Sequence, residues 1–392
     1  MQTIYACFIG YIVQAIVNNF VPLLFVTFQN NYYISLERIT FLITLNFIIQ
    51  LFVDLLSAFF IDRIGYRISI LIAHILSAAG LILLTVLPEV FPSPYTGLVI
   101  AVIIYAIGGG LLEVLVSPII EACPTDNKEK AMSLLHSFYC WGAVGTILVS
   151  TVFFLLFGIG NWKWLAVIFA LIPAINIINF ATCPIESLVE EGQGMGIRKL
   201  FSNPMFLIAI VMMVCSGASE LAMAQWASAY AESALGFSKA VGDIAGPCMF
   251  AVTMGISRVL FGKAGDKMKL NRFMIGSGIL CFVCYLLASF SENPIIGLAG
   301  CIVCGFSVGI MWPGTISISS KAFPTGGTAM FALLAMAGDL GGSIGPAIVG
   351  RVADMFGGSI HVGMRIGLLF PITLCFMLFL FNIMNHDANK QK

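Results

Sequence analysis

The chain has 392 residues, of which 59% are hydrophobic and only 10% charged, and its mean hydropathy is +1.01. A soluble domain carries about 25% charged residues, so the composition excludes a water-soluble protein and predicts one embedded in the lipid bilayer. Lys and Arg balance Asp and Glu at 19 each, so no nucleic-acid partner is expected.

Apolar runs long enough to cross a membrane recur along the whole chain. A spanning helix needs about 20 apolar residues, and the runs lack the alternation of membrane β-strands. The predicted spans are 4–27, 39–61, 68–88, 96–121, 131–157, 162–182, 204–232, 240–262, 271–291, 294–320, 328–351 and 362–384. The expected fold class is therefore an all-α membrane protein with twelve transmembrane helices.

The longest polar break lies between the sixth and seventh runs. It predicts an N-terminal six-helix bundle at 1–183, a linker at 184–203 and a C-terminal six-helix bundle at 204–392. Of the 19 Lys and Arg residues, thirteen fall in the termini and loops on one side, five on the other, and Arg258 lies within a run. Positive charge favours the cytoplasmic side, which predicts a cytoplasmic linker, two cytoplasmic termini and a plasma-membrane location.

The two halves of the chain resemble each other. The segment Asp54–Arg67, DLLSAFFIDRIGYR, aligns with Arg258–Arg272, RVLFGKAGDKMKLNR, and places Asp62 opposite Asp266 at an offset of 204 residues. Two further pairs, EACP with KAFP and GAVG with GSIG, match at an offset of 200. The order of these matches indicates a duplicated six-helix unit. Parallel repeats of this kind predict a binding site at the membrane midplane, between the halves.

These features resemble the major facilitator superfamily over essentially the whole chain. The loop AFFIDRIGYR follows the superfamily pattern Gly-x-x-x-Asp-Arg-x-Gly-Arg, with Ala58 in place of the first glycine. The resemblance implies two six-helix bundles related by a pseudo-two-fold axis. It also implies that the first, fourth, seventh and tenth helices line a central cavity.

Charged residues around the repeated loops are expected to form a gate. Small residues let the helices approach closely, and ion pairs across the two halves would hold the inner side shut. The alternative interpretation is a purely topological anchor of positive charge. The predicted gating residues are Asp54, Asp62, Arg63, Gly65, Arg67, Arg258, Asp266 and Lys267.

Polar and aromatic residues on the four cavity helices are the candidate substrate site. Amide groups bind hydroxyls and an indole face packs on a sugar ring, so they suit a neutral polyhydroxylated solute. The four helices carry no Lys or Arg in the cavity, so anionic solutes should be excluded; a lipophilic cation would also suit the acids and aromatics. The predicted substrate-binding residues are Gln14, Asn18, Asn19, Glu113, Ser117, Glu220, Gln225, Trp226 and Trp312.

Two of these residues, Glu113 and Glu220, are carboxylates near mid-depth, with no Lys or Arg at that depth on the same four helices. A carboxylate buried in a membrane is costly unless it faces a cavity, finds a partner or takes up a proton. Proton coupling through Glu113 and Glu220 is therefore predicted, with Asp339 as a further coupling group. A sodium-coupled variant stays open, with Glu113 or Asp339 as the ion ligand.

The stretch GGGLLEVLVSP around Glu113 is similar to helix four of the fucose and glucose/galactose permeases. Leu112 and Glu113 match that family, whereas Val114 replaces a threonine and Ser117 replaces an asparagine. In the first run, Asn18 stands where fucose permease has an aspartate. The resemblance implies a sugar permease with a titratable Glu113.

The predicted function is secondary active transport of a small neutral solute, a sugar, by proton-coupled symport with alternating access. The alternatives are a drug/proton antiporter and a membrane sensor that keeps the fold without moving solute. No nucleophile, base and orienting group occur together, so an enzyme is not expected. No cofactor and no metal are expected, and the predicted oligomeric state is a monomer.

Overall fold

The computed structural model describes residues 1–186, 188, 194–235 and 244–390. Within the helices, the side chains of residues 26, 36, 37, 40, 226, 228–235, 244, 245, 294 and 386–390 lie outside this description. The described helices are α1 (Gln2–Asn19), α2 (Phe25–Tyr32), α3 (Leu36–Ile64), α4 (Tyr66–Val90), α5 (Pro94–Ala122), α6 (Lys128–Phe157), α7 (Trp162–Thr182), α8 (Ile197–Phe201), α9 (Pro204–Leu235), α10 (Met249–Ala264), α11 (Leu270–Phe290), α12 (Pro294–Val308), α13 (Met311–Ala322), α14 (Gly327–Met355), α15 (Ile360–Gly367) and α16 (Leu369–Lys390).

Eleven helical segments in the described part of the chain are long and apolar enough to cross a membrane. They match eleven of the predicted runs. The eighth run corresponds to a π-helical turn at Ile244–Cys248 followed by α10, and its first residues lie outside the described ranges. The tenth predicted span consists of α12 and α13, and the twelfth of α15 and α16, so both contain a break between two helices.

Contacts divide the chain into two compact units. Unit 1 consists of Met1–Pro124, Phe138–Gly194 and Gly327–Ala332, and unit 2 of Thr125–Ser137, Met195–Gly326 and Leu333–Lys392. Each unit thus contains most of one half of the sequence and a short segment of the other half. The short segments are the first turns of α14 in unit 1 and of α6 in unit 2.

Close helix contacts explain the three consecutive glycines of α5. A Cβ added at Gly108 would lie 2.4 Å from the Ser77 hydroxyl of α4, and one at Gly110 would lie 3.0 Å from Val53 of α3. Small residues allow this approach where no hydrophobic force acts between helices in lipid. The glycines therefore pack α5 against its neighbours and bring Glu113 close to α1.

The turn between α3 and α4 depends on Gly65. Its φ of 87° and ψ of 149° belong to a backbone region that is essentially restricted to glycine. Gly65 ends α3 directly after Asp62 and Arg63 and starts α4 at Tyr66. It therefore fixes where the loop charges emerge from the helices.

Candidate functional site

Glu113 is held by an amide of α1. Gln14 Nε2 donates to Glu113 Oε2 at 2.6 Å, and Gln14 is only 3% exposed, whereas Glu113 is half-buried. One turn further along α5, the Ser117 hydroxyl bonds the Tyr11 hydroxyl of α1 at 3.1 Å. The spacing from Tyr11 to Gln14 and from Glu113 to Ser117 places each pair on one helix face, so α1 and α5 share a polar seam.

A group of buried amides continues this seam onto α3. Asn18 Oδ1 accepts from Gln50 Nε2 at 2.7 Å and from Asn46 Nδ2 at 3.1 Å, and Gln50 also donates to Asn46 Oδ1 at 3.0 Å. Asn18 Nδ2 donates to the Tyr139 hydroxyl of α6 at 3.3 Å. We call Gln14, Asn18, Asn46 and Gln50 the amide cluster.

Two acceptor atoms of the amide cluster are unsatisfied. Gln14 Oε1 and Gln50 Oε1 are buried and have no hydrogen-bond partner among the described residues. Asn19 behaves differently, because its Nδ2 donates to the Ala15 carbonyl of its own helix at 2.8 Å. The structure therefore brings Gln14, Asn18 and Glu113 together, while the Asn19 amide is used within α1.

Unit 2 has its own polar centre around Arg258 of α10. Arg258 Nη2 lies 3.4 Å from Glu220 Oε2 of α9, and the guanidinium also donates to the carbonyls of Gly309 at 2.8 Å and His136 at 3.0 Å. Arg258 is 3% exposed. The four cavity helices supply no Lys or Arg at this depth, and the cationic partner of Glu220 comes instead from α10, a helix outside those four.

Asp339 and Trp312 lie near this ion pair. Asp339 is half-buried on α14 and interacts electrostatically with Glu220, and its Oδ2 has no hydrogen-bond partner among the described residues. The ring of Trp312 packs on Gly338, where an added Cβ would lie 2.2 Å from it. Glu220, Asp339 and Arg258 therefore form one polar centre in unit 2, and Trp312 packs beside it on α14, against the residue that precedes Asp339.

The other predicted residues of α9 are placed differently. Gln225 is exposed and lines a separate cavity of about 820 Å³ that also contains Arg351 and Asp354. Trp226 belongs to α9, but its side chain lies outside the described residues. The sequence alone grouped Gln225 with Glu220, whereas the structure puts it in this second cavity.

The gate prediction can be compared with the residues around Asp62. Asp62 Oδ1 accepts from the Thr328 hydroxyl at 2.5 Å, and the same hydroxyl bonds the Tyr66 hydroxyl at 2.5 Å. Thr328 lies in the first turn of α14, where the helix dipole favours a negative charge. Arg67 donates to the carbonyls of residues 180, 181 and 183 at the end of α7, at 2.7 to 2.9 Å.

The second copy of the loop makes an equivalent contact in unit 2. Asp266 accepts from the Asn127 amide at 2.9 Å and pairs with Lys130, and both donors lie at the start of α6. The hydrogen bonds from Lys130 and Asn127 hold the pKa of the Asp266 carboxyl below its ordinary value. In each copy, the loop aspartate contacts the first turn of a helix from the other half of the sequence.

The remaining gating candidates are not the hydrogen-bond or ion-pair partners of Asp62 and Asp266 in the contacts described above. Arg63 and Lys267 are exposed, and Asp54 is fully buried in α3, one turn after Gln50. Arg258 lies against Glu220 in unit 2. Asp54 and Arg258, which align in the repeat, are thus both buried eight residues before the loop aspartates, or just over two helical turns.

Residues 7–346 match the family model of the Major Facilitator Superfamily. The chain belongs to this superfamily. No curated protein sequence matches the chain. Superfamily members are transporters, so the protein is a multi-pass membrane transporter and not an enzyme, as the sequence predicted.

Solved structures of three superfamily transporters have the same fold. FucP in its outward conformation is 15% identical, with a TM-score of 0.81 over 97% of this chain and 99% of that chain. The proton:xylose symporter XylE, bound to 6-bromo-6-deoxy-D-glucose, is 14% identical, with a TM-score of 0.81 over 97% and 95%. The human organic anion transporter MFSD10 is 13% identical, with a TM-score of 0.76 over 96% and 99%. These likenesses confirm the predicted all-α major facilitator fold, and at such identities they show the fold alone.

Some polar partners in this superfamily member were missed by the sequence interpretation. Tyr11 precedes Gln14 by three residues on the same helix face, a periodicity that would have identified it. The repeat offset of 200 places residues 127 and 128 opposite 327 and 328, so the partners of the two loop aspartates come from equivalent helix starts. Tyr139 had no such signal, because only the packing of α6 brings it to Asn18.

Proposed function

We propose that the protein carries a small neutral solute, a sugar, together with a proton, by alternating access. We place it in the plasma membrane with both termini in the cytoplasm. Its superfamily supplies the transport activity, and the polar residues of the two units supply the solute and proton chemistry. The proposed binding residues are Gln14, Asn18, Glu113 and Ser117 in unit 1 and Glu220 and Trp312 in unit 2.

The observation that carries this proposal is the amide cluster and its bond to Glu113. Amide groups both donate to and accept from hydroxyls, so a polyhydroxylated solute complements them. Gln14 Oε1 and Gln50 Oε1 are buried acceptors without a partner among the described residues, and each such atom costs about 1–3 kcal/mol. A solute hydroxyl or a water molecule donating to them would remove this cost.

Glu113 is the proposed proton carrier. It lies within a membrane span, and its bond from Gln14 comes from a neutral amide. A protonated carboxyl is neutral, and a neutral side chain costs less free energy in a non-aqueous environment than a charged one. A transport cycle in which Glu113 takes up a proton as the solute binds therefore lowers the free-energy cost of the Glu113 side chain within the membrane. The Gln14 bond then links the protonation of Glu113 to the geometry of the amide cluster.

The two loop contacts are the proposed inner gate. Asp62 contacts the first turn of α14 and Asp266 contacts the first turn of α6, and each helix belongs to the opposite half of the sequence. An inner opening that separates the halves has to break both contacts. The gate is therefore made of hydrogen bonds, one ion pair and two helix N-termini.

Proton movement distinguishes the proposal from its alternatives. Purified protein is first screened by thermal shift against neutral sugars and polyols, with and without sodium. Stabilising solutes are then added to proteoliposomes in weakly buffered medium. A symporter makes the medium more alkaline because protons enter with the solute, whereas an antiporter acidifies it. Acidification by lipophilic cations with no response to any sugar would establish the antiporter instead, and binding without transport would establish a sensor.

A further inference from the structure

A further polar cavity, different from the one lined by Gln225, lies apart from both proposed binding centres. It has a volume of about 480 Å³ and belongs entirely to unit 2. We call it the basic pocket. Its lining residues are Glu129, Met268, Lys269, Leu270, Asn271, Arg272, Ile318, Lys321, Phe381, Asn382 and Asn385.

The lining of the basic pocket carries an excess of positive charge. Lys269, Arg272 and Lys321 face one acid, Glu129, which is paired with Lys321. Lys269 and Arg272 are exposed, and their side chains make no hydrogen bond or ion pair with any residue that the structure describes. Two cations at the pocket therefore remain available to a ligand.

The backbone at the pocket adds to this charge. Lys269 occupies the N-cap position of α11, where its side chain has no acceptor to offer, and the first turn has no acidic residue. The amide N–H groups at the start of a helix have no partner within the helix, and the helix dipole favours an anion beside them. The free cations and these amides lie in the same segment, residues 269–272.

The basic pocket lies at the edge of the membrane. Leu270 begins the membrane-spanning segment Leu270–Phe290, Lys321 is the penultimate residue of the segment Ile295–Ala322, and Asn385 ends the segment Ile360–Asn385. The buried side chains of Ile318 and Phe381 supply an apolar part of its lining. By charge distribution this is the cytoplasmic side, where anionic lipid headgroups attract basic segments.

We propose that the basic pocket binds a phosphate group, carried by an anionic phospholipid headgroup or by a soluble phosphate ester. Arg272 supplies two parallel N–H donors, Lys269 a point charge and the start of α11 its amides. Asn271 and Asn382, which bond each other at 2.6 Å, and Asn385 complete the polar lining. The site is separate from the transport residues, so it stands whether or not the solute is a sugar.

Native mass spectrometry and thermal shift test this proposal on the purified full chain. The probes are phosphatidylglycerol, phosphatidylcholine and inorganic phosphate. Phosphatidylglycerol should bind and raise Tm more than phosphatidylcholine does. The double variant Lys269→Gln/Arg272→Gln should weaken this binding about 30-fold, from about a fivefold loss for each cation. Lys263→Gln, an exposed cation of the same face outside the pocket, is the matched control and should leave binding unchanged.

The outcomes separate the two phosphate sources. Tm stabilisation by inorganic phosphate, lost in the double variant, assigns a soluble ester, and stabilisation by phosphatidylglycerol alone assigns the lipid. Asn385→Asp places an acid in the lining without removing a cation, so it tests the pocket if the double variant does not fold, and it should also weaken binding. Equal binding of phosphatidylglycerol and phosphatidylcholine without stabilisation by inorganic phosphate would overturn the proposal, and so would full binding by the variants.

Discussion

Among single residues, Glu113 has the most specific predicted role. Glu113→Gln has nearly the same volume and mimics the protonated, neutral side chain, and a glutamine can still accept a bond from Gln14. The variant should therefore keep solute binding and exchange between two loaded compartments but lose accumulation driven by a pH gradient. Exchange and accumulation are measured in proteoliposomes with the solute found by the thermal-shift screen.

Glu220→Gln is the comparison for that experiment, because Glu220 is the acid with a cationic partner. If Glu220 holds solute hydroxyls, this variant should weaken binding more than coupling. If Glu113→Gln still accumulates solute and Glu220→Gln does not, Glu220 is the proton carrier and Glu113 the solute-binding residue. If both variants accumulate solute normally, neither glutamate couples proton to solute, and Asp339 or a sodium site becomes the coupling group.

The Arg258–Glu220 pair makes a separate prediction about stability. Removing one partner of a buried ion pair costs about 3–5 kcal/mol because the other charge remains buried. Glu220→Gln and Arg258→Gln should each lower the free energy of unfolding, and the double variant should cost less than the sum of the two. The coupling energy expected from such a double-mutant cycle is about 0.5–3 kcal/mol.

This cycle is measured by unfolding in SDS. Lys263→Gln combined with Glu220→Gln is the control, and its effects should add, because Lys263 is an exposed residue outside the ion pair. A coupling energy near zero between Glu220 and Arg258 would mean that the 3.4 Å pair contributes no net stability and that Glu220 depends on other groups.

The candidate site was predictable from the sequence where it depends on one helix and not where it depends on tertiary packing. Depth along an apolar run identified Glu113 and Glu220. Nothing local connects Glu220 to Arg258, because they lie 38 residues apart on different helices, α9 and α10, which pair only in three dimensions. The unequal roles of Gln14 and Asn19 likewise follow from which neighbour packs beside each.

At the scale of helices, close packing through glycine makes the next prediction. A Cβ added at Gly217 of α9 would lie 2.0 Å from the carbonyl oxygen of Gly338 of α14, which no real contact tolerates. Gly217→Ala should therefore separate α9 and α14 and lower Tm by several degrees. Gly276→Ala is the matched control, since no atom lies within 4 Å of its added Cβ and alanine is the better helix former.

Tm is measured on protein in the same detergent for both variants. The site in unit 2 sits on this interface, because Trp312 packs on Gly338 and Asp339 follows it. Solute binding should therefore fall in Gly217→Ala and remain in Gly276→Ala. A Tm decrease of equal size in the two variants would contradict the role assigned to the α9–α14 contact.

The two loop aspartates give a prediction about the gate. Asp62→Asn removes the negative charge beside the first turn of α14, and Asp266→Asn removes the ion pair with Lys130. Both variants should bind solute with roughly parental affinity while net transport slows, because the inner closed state loses stability. Transport rates equal to those of the parent would leave the loops only their topological role.

A pH series adds a test of the Asp266 contact. Its pKa lies below the ordinary carboxyl value, so the ion pair is fully formed above that ordinary value and is lost as the pH falls through the lowered pKa. Acid pH on the inner side should therefore reduce the difference in net transport rate between the parent and Asp266→Asn. The decrease in net transport rate caused by Asp266→Asn should be independent of pH only at pH values well above the ordinary carboxyl pKa.

At the scale of the whole molecule, composition and run length predicted the fold class and eleven of the described spans. The physical reason is that the bilayer requires every backbone polar group to be satisfied within a helix. Composition and run length did not predict that the first turns of α6 belong to unit 2 and the first turns of α14 to unit 1. Residues 125–137 and 327–332 look like ordinary helix starts, and only tertiary contacts, among them those with Asp266 and Asp62, assign them to the opposite unit.

The proposed orientation of the chain, with both termini in the cytoplasm, rests on its charge asymmetry and is tested by labelling. Of the eleven native cysteines, ten are buried and Cys375 is half-buried, so a membrane-impermeant maleimide should label the parent weakly. A cysteine at Asn161, in the exposed turn between α6 and α7, should be labelled on intact cells. A cysteine at Lys199, in the short helix α8 after the linker, should be labelled only after permeabilisation. The reverse pattern would place the termini outside, move the Asp62 and Asp266 contacts to the outer face, and turn the proposed inner gate into an outer one.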